Sequence, residues 1–105
     1  MMQFWLHENA NPATRRTHPW LLDVQSPLLD DLRTVVVVPL VPLRTVANRK
    51  VTRLTPVVDV QGEPHILMVP LMAGIDRRYV GRPVHDLSFC RDEIVGALDF
   101  LISGV

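Results

Sequence analysis

Four histidines, one cysteine and eleven carboxylates are the side chains of this chain that could move protons, attack an electrophile or hold a metal. Their spacing does not gather them. His7, His18, His65 and His85 never fall at the close spacings that make a metal site readable, and Cys90 has no cysteine partner. The five glycines, Gly62, Gly74, Gly81, Gly96 and Gly104, are isolated, so no phosphate-cradling loop is present, and there is no Gly-x-Ser-x-Gly elbow. Asp30-Asp31 and Asp92-Glu93 are adjacent pairs, and neighbours in sequence point different ways on a helix or strand. They read as solvated faces, not as carboxyls sharing a proton. His85-Asp86 reads as turn chemistry before it reads as a catalytic pair. The cluster Arg44, Arg49, Lys50 and Arg53 could neutralise phosphates, but no aromatic is interleaved to stack a base, and a solvated loop between strands accounts for it. The search for an active site thus comes back mostly empty, with no cofactor and no metal implied.

What stands out instead is the tail. Leu87, Cys90, Ile94, Leu98, Leu101 and Val105 recur three or four apart and line one stripe of a helix over about 88–103. Val95 and Ile102 widen that stripe. Termini fray unless something ties them down, so an ending this apolar calls for its own core, a second copy of the chain, or another protein.

The remaining elements must position that helix. Phe4-Trp5-Leu6, Trp20 to Gln25, Thr34 to Leu40 with four consecutive valines, Thr55 to Val60, His65 to Leu71, and a short stretch about Tyr79-Val80 and Val84 read as strands. Gln61-Gly62-Glu63-Pro64 is a hairpin turn, and Glu8 to Pro19 is a polar loop. Pro39 and Pro42 fit only at a strand edge, bulge or end. Ser88 is the expected helix N-cap, Asp92 and Glu93 suit the first turns, and Gly96 implies a close neighbour. The expected architecture is mainly β with α+β character: a small antiparallel barrel with one C-terminal helix, a single domain over 1–105. With 11 cationic and 11 anionic side chains there is no global field to draw nucleic acid or membranes. One cysteine, no charged apolar leader and no run of ~18 apolar residues point to a reduced, cytoplasmic setting without membrane contact.

Met2-Gln3-Phe4, Leu22-Asp23-Val24-Gln25-Ser26, Val37-Val38-Pro39-Leu40, Pro56-Val57-Val58 and Asp86-Leu87-Ser88 resemble the CcdB family of toxins. So do Arg91-Asp92-Glu93-Ile94, Ala97 and the ending Gly104-Val105, and together the match runs in order over nearly the whole chain. The resemblance implies an SH3-like barrel and a homodimer joined through Leu98, Leu101 and Val105. It also implies a protein that is no enzyme: it traps DNA gyrase on cleaved DNA by binding the gyrase A subunit, and meets DNA only through gyrase or its antitoxin. The gyrase contact maps onto Ile102, Ser103, Gly104 and Val105. The contact with a CcdA-like antitoxin, which also makes the toxin an operon co-repressor, maps onto Ser26, Leu28, Leu29 and Asp99. In the family's best-known ending, Trp-Gly-Ile, a tryptophan stands where this chain has Ser103. A buried aromatic anchor is worth ~2 kcal/mol, so Ile102 and Val105 carry the contact, or gyrase is held more weakly, or the toxin is inactive.

Two other readings compete. The same barrel resembles that of the MazF and Kid toxins, which cut RNA; Arg44 to Arg53, or Arg77, Arg78 and His85, would then have to converge in one cleft. A degenerate toxin that only holds its antitoxin and co-represses its operon is the other.

Overall fold

The valine run builds the spine of the fold. In the computed structural model, which describes residues 3–46 and 52–104, Thr34–Pro42 forms β3, a nine-residue strand. The other strands are β1 (Trp5–Asn9), β2 (Trp20–Asp23), β4 (Val57–Val60), β5 (Glu63–Leu67), β6 (Ala73–Asp76) and β7 (Val80–Asp86), followed by α1 (Arg91–Ser103). They make one curled antiparallel sheet in the order β4-β5-β3-β2-β1-β7, with β6 also paired to β3. The expected mainly β architecture with one C-terminal helix is present, the expected barrel taking the form of a curled half-barrel. Among the described residues, no helix is long and apolar enough to cross a membrane.

The two sides of β3 explain how it tolerates proline. The Val24 N–H bonds Val36 O at 3.1 Å, so even-numbered residues of β3 turn their backbone groups toward β2 and odd-numbered ones toward the other side. On that other side β6 pairs up to Ala73↔Val37, and β5 begins at Leu67↔Leu40. Pro39 directs its missing N–H into the gap between them, and Pro42 lies beyond the last β2 partner, Trp20↔Leu40. Neither breaks a ladder bond.

Alternation then sorts the side chains into two faces. Val38 and Leu40 join Phe4, Leu6, Leu22, Leu67 and Val69 in the main core. Val35 and Val37 face the opposite way and pack with Leu21, Ile75 and Val80. The helix covers the main core: Leu87, Ile94 and Ala97 are buried there, with Cys90, Val95 and Leu98 at its margin. The apolar stripe thus belongs to the core over its first half.

Several boundaries differ from expectation. Glu8 and Asn9 belong to β1: pairing of Glu8 with Trp20 of β2 and of Asn9 with Val80 of β7 draws them out of the expected loop. Phe4 precedes β1 at φ 66 and bonds Asp23 O and the Leu87 N–H through its backbone. The hairpin turn tightens onto Gln61 and Gly62, both with positive φ, so Pro64 lies within β5. Val69–Leu71 closes as a 3-10 turn and not as strand. Ser88 does not cap the helix: Ser88–Cys90 is a 3-10 turn whose Ser88 N–H is held by the Asp86 carboxylate at 2.8 Å, and α1 starts at Arg91. Asp92 and Glu93 do occupy its first turn.

Two glycines are read differently by their surroundings. A Cβ at Gly81 would lie 2.9 Å from Glu8 O, so the β1–β7 seam requires glycine there. A Cβ at Gly96 would meet nothing within 4 Å among the described residues, so no close neighbour within the chain requires glycine there. Gly96→Ala is therefore expected to stabilise the fold by about 0.5–1 kcal/mol in urea denaturation, through helix propensity alone.

Candidate functional site

The helix ends in the open. Leu98 leans on the core margin, Leu101 is exposed, and Ile102 is 77% exposed. Positions three and four apart share a helix face, so these three continue the apolar stripe beyond the core into solvent. Gly104 stops the helix in the left-handed conformation (φ 75), its N–H bonding Phe100 O at 3.0 Å. Ser103 turns its hydroxyl back onto Asp99 O at 2.7 Å. The residue at the tryptophan's place is thus engaged with its own helix, and Ile102 is the large apolar side chain left at the tip. Asp99 is exposed one turn earlier. Arg53 braces the opposite flank, its guanidinium 5.1 Å from the Phe100 ring centre. Val105 lies outside the described residues.

A second apolar surface is built by the segment between β2 and β3. Ser26 caps a 3-10 turn over Pro27–Leu29, its hydroxyl accepting from the Leu28 N–H at 3.2 Å. That turn holds Leu28 91% exposed, with Leu29 and Leu32 also exposed. Buried Gln25 makes the turn rigid. Its Oε1 accepts from the Val36 N–H at 3.0 Å, and its Nε2 donates to Leu29 O at 3.2 Å and Thr34 O at 3.3 Å. Arg77 adds bonds to Leu32 O and Leu29 O from the start of the next turn. Gln25→Ala removes the Val36 partner and both loop carbonyl contacts. The expected cost is about 2–3 kcal/mol, with faster amide exchange confined to residues 26–36.

Asp23 lies beneath this loop, 2% exposed, accepting from the Gln25 N–H at 2.9 Å. Burial pushes its carboxyl above the ordinary carboxylate range, against the lowering effect of the Gln25 bond. The folded protein therefore holds this proton more tightly than the unfolded chain does. Stability falls as pH rises from the unfolded pKa, about 4, through the folded one, and the loss is constant above it. Asp23→Asn keeps an acceptor for Gln25 and removes the titration. Wild-type stability minus that of the variant is expected to decline over this window and then level off; a difference flat with pH would refute it.

The other candidates are dispersed. Arg44 pairs with Glu63 at 2.6 Å, Arg53 lies over Phe100, Arg77 ties down the 29–32 loop, and Arg78 lies over Tyr79. Arg49 and Lys50 lie outside the described residues. His85 is exposed on β7 opposite Leu6. Arg44 and Arg53 lie on separate segments, and Arg77 and Arg78, though on one turn before β7, hold different partners, which does not favour the single basic cleft of an RNA-cutting toxin. Asp86 serves its turn, and its bonds to Ser88 hold its carboxyl below the ordinary range. Cys90 is half-buried; burial and Glu93 push its thiol up, away from the nucleophilic thiolate. Among the described residues, no group of three His, Cys, Asp or Glu could hold a metal ion.

Sequence reasoning missed two surfaces. Phe89 stands 81% exposed, because the 3-10 turn before α1 directs it outward where a continuous helix was expected. On the sheet face away from the helix, a cavity of about 220 Å³ opens among Leu21, Val37, Pro39, Leu71, Ala73 and Ile75, with Asn9, Asn11, Thr14 and His18 at one side. Its floor is legible in the odd-numbered residues of β3; its wall depends on β6, which has no strand signature.

The helix tip and the Ser26–Leu29 turn are apolar, rigidly backed and exposed, and neither carries reactive groups. Their arrangement suits docking. Compared with known families, residues 3–104 match the family model described as CcdB protein.

Proposed function

The chain belongs to the CcdB family, and from that premise, which makes it a toxin of a toxin–antitoxin system, we propose that it acts without catalysis as a homodimer that binds the gyrase A subunit. Binding traps gyrase on cleaved DNA. A trap of this kind works by holding one state of the enzyme's cycle more tightly than the others, so contact geometry replaces active-site chemistry.

The observation that supports this reading is Ile102, exposed at the end of a helix whose first half is locked into the core. In the proposed dimer, Leu98, Leu101 and Val105 of two copies pack together, and both tips, Ile102 to Val105, face gyrase side by side. Ile102 and Val105 carry the apolar contact in place of the family's tryptophan. A cytoplasmic antitoxin neutralises the toxin by covering Ser26, Leu28 and Leu29 and reaching Asp99, and the pair represses its own operon.

Purified protein added to gyrase and plasmid DNA tests the proposal. Inhibited supercoiling and double-strand breaks revealed on denaturation are expected. Neither effect at saturating protein would remove gyrase as the target. Incubation with single-stranded RNA should leave it intact, and cleavage would transfer the chain to the RNA-cutting class.

A further inference from the structure

We propose that the cavity of about 220 Å³ on the sheet face away from the helix is a binding site for a small aromatic alcohol, a molecule of the phenol class. The site shares no residue with the helix tip or the Ser26–Leu29 turn, and it stands whether or not gyrase is the target.

The sheet supplies the floor. Val37 and Pro39 on β3, Leu21 on β2 and Ile75 on β6 line it. Leu21 and Val37 are almost wholly buried, and Ile75 packs against them. Ala73 stands opposite Val37 in the β3–β6 ladder, and cross-strand partners share one face. Its side chain stops at a methyl, so the space over Val37 stays open there. Apolar walls favour an apolar guest, and size limits it. A cavity of about 150 Å³ in another protein takes up benzene, so one of about 220 Å³ has room for a single ring bearing a short substituent.

The loop between β1 and β2 supplies the polar wall, and buried Asn9 makes it rigid. The Asn9 Nδ2 donates to Thr14 Oγ1 at 2.9 Å and to His18 O at 2.8 Å, and its Oδ1 accepts the Asn11 N–H at 2.9 Å. Asn9 is thus spent on the wall itself, and a ligand meets Asn11 and His18, both half-buried. The Asn11 Oδ1 accepts the Ala13 N–H at 3.0 Å, which leaves its Nδ2 as a donor. The Thr17 hydroxyl gives its proton to Thr14 O at 3.2 Å, so toward His18 Nδ1, 2.9 Å away, it can only accept. That places the proton of the neutral ring on Nδ1 and leaves Nε2 as an acceptor.

One donor and one acceptor beside an apolar floor select the head group. A hydroxyl answers both at once, donating to His18 Nε2 and accepting from Asn11 Nδ2. A methyl ether keeps the acceptor and loses the proton, and a carboxylate brings charge with no proton for Nε2. A hydrocarbon leaves both polar groups unused. A ring fills the floor with fewer rotatable bonds than an alkyl chain, so less freedom is lost on binding.

The test titrates 4-ethylphenol into the intact protein, followed by NMR. Saturable shifts centred on the amides of Leu21, Val37 and Ala73 and on the Asn11 side-chain amide are expected, with a dissociation constant of about 1 mM or below for a ligand of this size. The methyl ether 4-ethylanisole, and 4-ethylbenzoate, should each bind about tenfold more weakly, the loss of one hydrogen bond. His18→Leu should abolish the preference for the phenol over its ether. Ala73→Leu, which fills the space over Val37, should weaken 4-ethylphenol about tenfold or more while β3 amides stay protected. No saturable shift up to about 10 mM would overturn the proposal, since a built site of this volume should hold such a molecule more tightly. Equal binding of phenol and ether by the unaltered chain would remove the head-group assignment, and equal binding by Ala73→Leu would remove the site.

Discussion

Removal of residues 102–105 is expected to lower gyrase trapping by roughly 30- to 1,000-fold, the range set by losing one or two anchors worth about 2–4 kcal/mol. The fold should barely notice. Ile102 lies in solvent, and among the described residues the deleted stretch takes with it the last turn of α1, the Gly104 cap and the Ser103 bond to Asp99, with no buried side chain. A stability change within about 1 kcal/mol is expected, so urea denaturation beside the cleavage assay separates lost contact from lost structure. Ile102→Ala alone should reproduce part of the effect at unchanged stability. Full trapping by the truncated chain would move the gyrase contact elsewhere on the molecule.

The opposite profile is expected of Ile94→Ala. Ile94 is fully buried between α1 and the sheet, sharing a core with Leu22, Val38 and Val69. Truncation to alanine leaves a void in the layer joining helix to barrel and should cost about 2–5 kcal/mol, a large part of the roughly 5–15 kcal/mol that holds a domain together. Trapping should then fall only as far as the folded population falls. Saturating folded variant should still trap gyrase, because the tip itself is unchanged. Denaturation midpoints and trapping at matched folded concentration check the two halves of this expectation.

These two isoleucines, eight residues apart, show what was legible in the amino-acid order. Ile94 lies on the periodic apolar stripe and Ile102 on its flank, and periodicity alone does not say whether the chain's own core, a second copy or another protein covers each. The end of the stripe differs because the sheet offers no further surface for Ile102 to cover. β3, β4 and β5 were legible because valine runs and a Gln-Gly turn leave few alternatives. β6 was not: Ala73-Gly74-Ile75-Asp76 has neither alternation nor β-branched density, and it is strand only because the lower half of β3 needs a partner. Ser88 looked like a helix cap by type, yet Asp86 claims its N–H and turns Ser88–Cys90 into a 3-10 step. The rigidity of the Ser26–Leu29 turn also escaped, since Gln25 is polar by composition and reveals its clamp only when β3 is placed beside it. Family resemblance pointed to that turn without giving the reason it holds still.

The seam between β1 and β7, closed around Gly81, ties residue 5 to residue 86. During synthesis the amino-terminal strand can meet β2 early, but its other side waits for a partner about 75 residues further along. At ribosomal speeds of 5–20 residues per second, that wait lasts roughly 4–15 s. The carboxyl-terminal rod emerges later still. Until β7 is available, β1 lacks its second neighbour, and the helix that follows has no finished sheet to cover.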